Sequence, residues 1–159
     1  AVQSEYSLST RSPEMGGVQK TKELGTTLIA FSPVGRSLLT DNPLEFEACR
    51  ELAFMKVNPR FQQGNYERNI ERTSQLRAMA SDMGVSTSGL AIAWLLAKGE
   101  HVVPIPGTRS VEHLNELASG ADLELSPSDV EAIEKVLPIG WCHGDRYSAD
   151  QWQGPERYC

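Results

Sequence analysis

Three short apolar runs, separated by segments with helical periodicity, are the strongest constraint on the fold of this chain. They span residues 1–8, 26–31 and 101–105. The middle run is continuously apolar and β-branched, which is typical of a strand covered on both faces in a parallel sheet. Strands that alternate with helices predict parallel strands joined by helical crossovers. The sequence therefore predicts an α/β fold.

The helical segments are marked at their ends. We predict helices over residues 13–24, 67–83, 86–99 and 110–118, and a further helix that begins at Ser126-Pro127. Serine is predicted at the helix starts and glycine at the ends, namely Ser86, Ser110 and Ser126, and Gly25, Gly84 and Gly99. Residues 37–66 form a long connection, and connections of this length are usually functional. Within it, we predict that Gly64 and its neighbours form either a flap over a ligand or a plain crossover.

The predicted sheet is too small to be self-sufficient. Three parallel strands leave two open edges, which natural proteins avoid. Either the chain dimerises through those edges or further strands of the sheet are missing. The first strand-like run begins at Ala1 without an initiator Met, so we expect the chain to start within a domain.

Composition excludes several function classes. The net charge of −6 disfavours a nucleic-acid partner, because phosphates require a basic surface. No apolar run approaches the roughly 20 residues that span a bilayer. Cys49, Cys142 and Cys159 are odd in number and widely spaced, and this pattern suggests neither a disulfide framework nor a metal site. We expect reduced thiols and a cytoplasmic protein.

Four sequence segments together resemble one known family. They read AVQSEYSL at residues 1–8, FSPVGR at 31–36, NPRF at 58–61 and VPIPGTR at 103–109. Their order and spacing resemble the aldo-keto reductases, particularly the bacterial and fungal branch related to potassium-channel β subunits. That family folds as a (β/α)8 TIM barrel with the active site at the C-terminal ends of the strands. The resemblance implies that residues 1–159 are the C-terminal half of such a barrel, with strands six to eight and a tail at 139–159.

The resemblance also implies a reaction and a partner. Family members are NADP(H)-dependent oxidoreductases that reduce aldehydes or ketones to alcohols, and the cofactor supplies the hydride. Their catalytic Tyr, Lys, Asp and His come from earlier strands, and none of them is assignable here. We therefore expect the isolated chain to be inactive and the N-terminal half of the barrel to be its partner, besides a small carbonyl substrate.

One polar and one aromatic position match the nicotinamide site of the family. Gln3 would hydrogen-bond the carboxamide and fix which face of the ring meets the substrate. Phe31 stands where most relatives have a Tyr that stacks on the nicotinamide, and Phe keeps the aromatic face. Without the resemblance, Phe31 is better interpreted as a core aromatic. The alternative for Gln3 is a polar residue on an early strand, and the family match favours the nicotinamide role.

The turn after the second strand matches the pyrophosphate site. There the resemblance implies that backbone N–H groups and one cation contact the phosphates. The residues concerned are Ser32, Val34, Gly35 and Arg36.

The turn after the third strand matches the site of the 2′-phosphate. Gly107, Thr108 and Arg109 precede a helix whose N-terminus is a natural phosphate site. Arg109 would add a planar fork for the 2′-phosphate, which favours NADP over NAD. His113 and Glu116 follow along the helix, near where relatives contact the adenosine. An exposed, solvated Arg109 is the plain alternative.

One residue departs from the family, and two other function classes stay open. Leu117 stands where relatives usually have an Asn that contacts adenine, so adenine recognition is expected to be weaker or rebuilt. The first alternative is a non-catalytic NADP-binding or regulatory module. The second is a half-barrel that pairs two copies and binds no ligand.

Overall fold

The structure contains a three-stranded parallel sheet. The computed structural model describes residues 1–152. Strands β1 (Val2–Glu5), β2 (Leu28–Phe31) and β3 (Val102–Ile105) pair in the order β1-β2-β3. Glu5 is in register with Phe31, and Phe31 with Ile105. The α/β class and the parallel strands are confirmed, and the loops after all three strands leave from one edge of the sheet.

The described residues also form six α-helices. The helices are α1 (Gly17–Glu23), α2 (Phe46–Glu51), α3 (Asn65–Asp82), α4 (Thr87–Leu96), α5 (Val111–Ser119) and α6 (Pro127–Val136). Short 3-10 turns occur at Ser12–Met15, Met55–Val57, Pro59–Phe61 and Ala149–Gln151. Nine of the ten residues of α4 are buried, as expected for a helix that is apolar on nearly all sides.

The predicted helix caps are present. The Oγ atoms of Ser86 and Ser110 accept hydrogen bonds from the backbone N–H groups of Gly89 at 3.0 Å and His113 at 3.3 Å. Ser126 Oγ accepts from the N–H of Asp129 at 3.2 Å. These bonds satisfy donors that would otherwise lack partners at a helix start.

Several predicted boundaries were wrong. The first strand ends at Glu5 rather than at residue 8, because Ser7 and Thr10 exchange two backbone hydrogen bonds and turn the chain. The helix predicted over residues 13–24 is interrupted at Gly16, whose φ of 128° is not helical. The connection at residues 37–66 contains α2 and two 3-10 turns.

The two faces of the sheet differ in how far their side chains are buried. Leu28, Ala30 and Val102 point to the face that the helices cover, and each is at most 2% exposed. Because side chains alternate along a strand, Gln3, Phe31, Val103 and Ile105 point to the opposite face. Val103 is 44% exposed there and Ile105 is 45% exposed. One apolar face of the sheet is therefore left uncovered within residues 1–152.

The tail after residue 138 is hydrogen-bonded to the loop after β1 and to the connection between β2 and α3. Trp141 Nε1 donates to the carbonyl of Leu8 at 2.7 Å, and Asn58 Nδ2 donates to the carbonyl of Arg146 at 2.7 Å. Gly144, with a φ of 87°, lies so close to Pro59 that a Cβ would be 2.6 Å from its carbonyl oxygen. Between residues 139 and 152 the tail contains one short 3-10 turn, Ala149–Gln151, and no other helix or strand. Residues 153–159, which include Cys159, lie outside the described part.

Within residues 1–152, no helix has the length and hydropathy needed to cross a membrane. The same residues contain no group of three His, Cys, Asp or Glu side chains placed to hold a metal ion. Cys49 and Cys142 are free thiols.

Candidate functional site

A cavity of about 700 Å³ opens between the loop after β2 and the turn after β3. This volume falls within the range of small-molecule sites. Residues from three segments line it, namely Val34, Ser37, Thr40, Asp41, Asn42, Leu44, Ser88, Gly107, Thr108, Arg109, Ser110, His113, Glu116 and Leu117. A second cavity of about 460 Å³ lies between α3 and α6 and includes no predicted site residue.

The N-terminus of α5 forms one wall of the cavity. Gly107 has open space where a side chain would stand, with no atom within 4 Å of an ideal Cβ. Arg109 is exposed and forms no ion pair with any residue between 1 and 152. A free guanidinium beside a helix start, where backbone N–H groups and the helix dipole favour negative charge, suits a phosphate group.

The opposite wall is the segment of residues 37–44. Its end is fixed where the Tyr66 hydroxyl donates to the carbonyl of Leu44 and the Leu44 N–H donates to Ser37 Oγ at 3.2 Å. Asp41 accepts two hydrogen bonds from Thr87, at the start of α4. The segment thus lines the cavity and is tied to two helices. The flap proposed for Gly64 and its neighbours stays a prediction.

The loop after β2 contains an unusual group of left-handed residues. Ser32, Arg36 and Ser37 have φ values of 52°, 54° and 78°, and Gly35 has 58°. A left-handed conformation costs about 1–2 kcal/mol for a residue with a Cβ. Such conformations concentrate at functional sites, where the surrounding structure holds them. Gly35 also lacks room for a side chain, since a Cβ would lie 2.8 Å from Ser9 Oγ.

A buried carboxylate lies beneath this loop. Glu5 is 0% exposed. Its Oε1 and Oε2 accept from Arg36 Nη1 at 2.8 Å and Arg36 Nη2 at 3.0 Å. Tyr147 donates to Oε2 at 2.8 Å, and Arg60 Nη1 lies 4.0 Å from Oε1. Burial alone would raise the pKa of Glu5, but the hydrogen bonds and charge of Arg36, with Tyr147 and Arg60, hold that pKa below its ordinary value.

The cavity brings together six of the eleven residues predicted from the sequence. They are Val34, Gly107, Thr108, Arg109, His113 and Glu116. The other five, Gln3, Phe31, Ser32, Gly35 and Arg36, are not part of its lining. Gln3 and Phe31 lie on the uncovered face of the sheet, and Ser32, Gly35 and Arg36 lie in the loop next to Val34. Their roles toward a cofactor stay predictions.

The position of Arg36 differs from the simplest expectation. The sequence suggested a cation directed at a pyrophosphate, whereas both terminal nitrogens of Arg36 bind Glu5. The guanidinium also stacks 4.4 Å from the ring centre of Phe54. Its charge is therefore already matched by an internal partner.

Several cavity residues were missed by sequence reasoning. Ser37, Thr40, Asp41, Asn42, Leu44 and Ser88 line the cavity without having been singled out as individual residues. No local pattern connects Asp41 with Thr87, which lies 46 positions later. Among the described lining residues, Arg109 has the only permanent positive charge, and Asp41 and Glu116 are acidic.

The tyrosines of the described part are all engaged internally. The hydroxyl of Tyr6 donates to Glu14, that of Tyr66 to the Leu44 carbonyl and that of Tyr147 to Glu5. In each case burial, aided by nearby negative groups, raises the tyrosine pKa. None of the three lines the 700 Å³ cavity.

The fold is an α/β unit of parallel strands, and the larger cavity lies at the carboxyl ends of these strands. The sequence model of the aldo/keto reductase family matches residues 1–138. The chain belongs to this family.

Curated relatives are similar along most of the chain. It is 32% identical over 150 residues to the aldo-keto reductase yakc [NADP(+)] of Schizosaccharomyces pombe, and the match covers 92% of this chain and 44% of the relative. It is 35% identical over 147 residues to a probable aldo-keto reductase 1 of Glycine max, with 92% and 42% covered. The chain thus spans less than half the length of these relatives.

Solved structures share the fold. The thermostable aldo-keto reductase Tm1743, in complex with the inhibitor epalrestat, is 26% identical with a TM-score of 0.60, and the match covers 84% of this chain and 38% of that one. The glycerol dehydrogenase AKR11B4 of Gluconobacter oxydans has a TM-score of 0.69 at 20% identity, with 85% and 41% covered. An aldo/keto reductase of Klebsiella pneumoniae, in complex with NADP and acetate, has a TM-score of 0.62 at 19% identity, with 92% and 42% covered.

Proposed function

We propose that this chain is the cofactor-binding, C-terminal half of an NADP(H)-dependent aldo-keto reductase that reduces aldehydes or ketones to alcohols. In this proposal residues 1–138 supply the last three strands of a (β/α)8 barrel, and the tail lies beside its mouth. The observation that carries the proposal is the 700 Å³ cavity, where Arg109, which has no ion pair within residues 1–152, lies at the start of α5.

The cavity supports a site for the adenosine and the 2′-phosphate. Arg109 offers a charged fork and the start of α5 offers N–H groups, and together they suit a phosphate dianion. His113 and Glu116 line the same cavity further along the helix. Leu117, only 7% exposed, gives an apolar contact where an adenine ring would lie. The name of the yeast relative and the NADP-bound Klebsiella structure agree with this cofactor.

The uncovered face of the sheet supports a missing half-barrel. Val103 and Ile105 are 44% and 45% exposed there. On α5, Val111 and Leu114 are 75% and 52% exposed, and they lie three positions apart on one helical face. An apolar face of this kind needs a partner, and the greater length of the relatives supports an N-terminal half-barrel as that partner.

The cofactor supplies the hydride when bound, and the residues of this chain orient it. Gln3 and Phe31 lie on the uncovered face, where they would meet a nicotinamide inside the completed barrel. The loop after β2 and the start of α5 would hold the phosphates. The proton that the carbonyl oxygen requires comes from the partner half, because the three described tyrosine hydroxyls are already engaged.

Reconstitution tests this proposal. The purified chain is mixed or co-expressed with the N-terminal half of the Glycine max relative, and NADPH oxidation is followed with an aromatic aldehyde. We expect no turnover by either half alone and turnover by the pair. Loss of the general acid alone costs on the order of 10²–10⁴-fold in rate. Clear aldehyde-dependent turnover by this chain alone would therefore contradict the proposal that the partner half supplies the catalytic groups.

The engaged tyrosines also favour a second candidate, a non-catalytic NADP-binding module. The same reconstitution separates the two. A folded pair of halves that binds NADPH tightly but does not oxidise it would favour the non-catalytic module over the reductase.

A further inference from the structure

We propose that Glu5 is a positioning residue for the pyrophosphate of the cofactor. Its buried carboxylate holds Arg36, and through Arg36 it fixes the left-handed loop of residues 32–37 in the shape that receives the anion. This inference rests on the proposed NADP site and adds to it a residue that does not itself touch the cofactor.

The first step is the geometry of the pair. Arg36 is bound through both terminal nitrogens, at 2.8 Å and 3.0 Å, to the two oxygens of one carboxylate. A two-point contact of this kind fixes the orientation of the guanidinium as well as its position. Phe54 covers one side of the guanidinium at 4.4 Å. Arg36 therefore has little freedom to turn toward the cavity.

The second step is what this anchoring does to the backbone. Val34 and Ser37, which lie on either side of Arg36, both line the cavity. Arg36 and Ser37 are held at φ values of 54° and 78°, a conformation that a free loop would leave. The anchored side chain therefore keeps the backbone of residue 36 at the cavity wall.

The third step is the supply of donors. Among residues 1–152, the backbone N–H groups of Val34, Arg36 and Ser37 donate to no protein acceptor, whereas that of Gly35 donates to the carbonyl of Ser32 at 2.9 Å. Consecutive backbone N–H groups in a turn with left-handed residues form concave sites for anions. The fixed loop therefore presents three backbone N–H groups without a protein acceptor beside the cavity, and these groups could bind an anion.

The fourth step is the set of other groups that donate to the same carboxylate. Tyr147 in the tail donates to Glu5 Oε2 at 2.8 Å, and Thr10 donates to Oε1 at 3.2 Å. One side chain of β1 thus joins the loop after its own strand, the loop after β2 and the tail. A change at Glu5 acts on the anion loop without removing any group that lines the cavity.

The test compares two ligands that differ in the pyrophosphate. Adenosine 2′-monophosphate carries only the adenosine and the 2′-phosphate, and 2′-phosphoadenosine diphosphoribose adds the pyrophosphate and the second ribose. Both are titrated calorimetrically into the chain paired with the N-terminal half of the Glycine max relative, and into the same pair carrying Glu5→Gln. We expect Glu5→Gln to bind the diphosphoribose roughly tenfold or more weakly, the effect of losing hydrogen bonds to a charged group, and to bind the monophosphate within about twofold of the parent.

A matched control is available in the same molecule. Glu14 also pairs with a buried arginine, Arg11, at 2.6 Å, and it lines neither cavity. Glu14→Gln removes a comparable ion pair, so we expect lower stability with both affinities unchanged. Tyr147→Phe serves if Glu5→Gln does not fold. It removes one donor to Glu5, and we expect about a threefold loss for the diphosphoribose alone.

The outcomes are distinct. Equal weakening of both ligands in Glu5→Gln or Tyr147→Phe, or no change in the folded variant, would overturn the positioning role. A folded parent pair that binds neither ligand would instead overturn the proposed NADP site, and this inference with it. Selective loss of the pyrophosphate ligand supports it.

Discussion

The carboxylate of Asp41 accepts hydrogen bonds from both the backbone N–H and the hydroxyl of Thr87, at 3.1 Å and 2.5 Å. Asp41 belongs to the segment of residues 37–44 that walls the cavity, and Thr87 is the first residue of α4. The contact joins the cavity wall to the positive end of a buried helix. Stability and site geometry are therefore linked at this point.

Asp41→Ala tests that link. We expect a loss of about 0.5–2 kcal/mol in the free energy of unfolding, the usual effect of removing an acceptor from a helix start. Asp41→Asn keeps an acceptor oxygen and loses only the charge near the helix end, so its loss is expected to be smaller. Urea denaturation measures both. Equal stability of the parent and Asp41→Ala would contradict the role given to this contact.

Gly120 is expected to tolerate no side chain. A Cβ there would overlap the carbonyl oxygen of Gly89 and lie 2.9 Å from Cβ of Ile92. We expect Gly120→Ala to lower the free energy of unfolding by about 1–3 kcal/mol, as overpacking of a close contact does. Gly25→Ala is the control for backbone strain alone, because Gly25 has a φ of 59° but no atom within 4 Å of a Cβ. A smaller loss for Gly120→Ala than for Gly25→Ala would show that α4 and α5 separate readily.

Glu5 is expected to make stability depend on acid pH. Its pKa is lowered below the ordinary value of 4.5 because the contacts with Arg36, Tyr147 and Arg60 outweigh the effect of burial. A lowered folded-state pKa gives a stabilisation that is complete above the ordinary value and is lost as the pH falls through the lowered one. The stability difference between the parent and Glu5→Gln should therefore shrink below about pH 4.5. Denaturation curves between pH 7 and pH 3 measure it, and a difference that stays constant over this range would contradict the assignment.

Much of the fold could be read from the sequence because the signals were local. Apolar runs that alternate with helical segments predicted the three parallel strands. The helix caps at Ser86, Ser110 and Ser126 were also predicted and are present. The boundaries that were wrong depend on individual turns. The pattern of residues 1–8 does not predict the turn between Ser7 and Thr10 that ends β1 at Glu5.

The site was predictable where one short segment supplies it. Gly107, Thr108 and Arg109 share one turn with their helix cap, and they line the cavity. Contacts between distant residues were not predictable. Glu5 binds Arg36 across 31 positions and Tyr147 across 142, and such distances leave no periodic trace in a single sequence. For the same reason Arg36 was assigned to the pyrophosphate without its internal partner.

Ligand binding to Arg109→Ala tests the central claim most directly. Adenosine 2′-monophosphate and adenosine 5′-monophosphate are titrated calorimetrically into the parent, into Arg109→Ala and into Arg68→Ala, which removes an exposed arginine of α3 outside the cavity. We predict that the parent prefers the 2′-phosphate and that Arg109→Ala binds it about 10- to 100-fold more weakly, the cost of a lost hydrogen bond to a charged group. Arg68→Ala should match the parent. If Arg109→Ala binds the 2′-phosphate as well as the parent does, the cavity is not the NADP site of this chain.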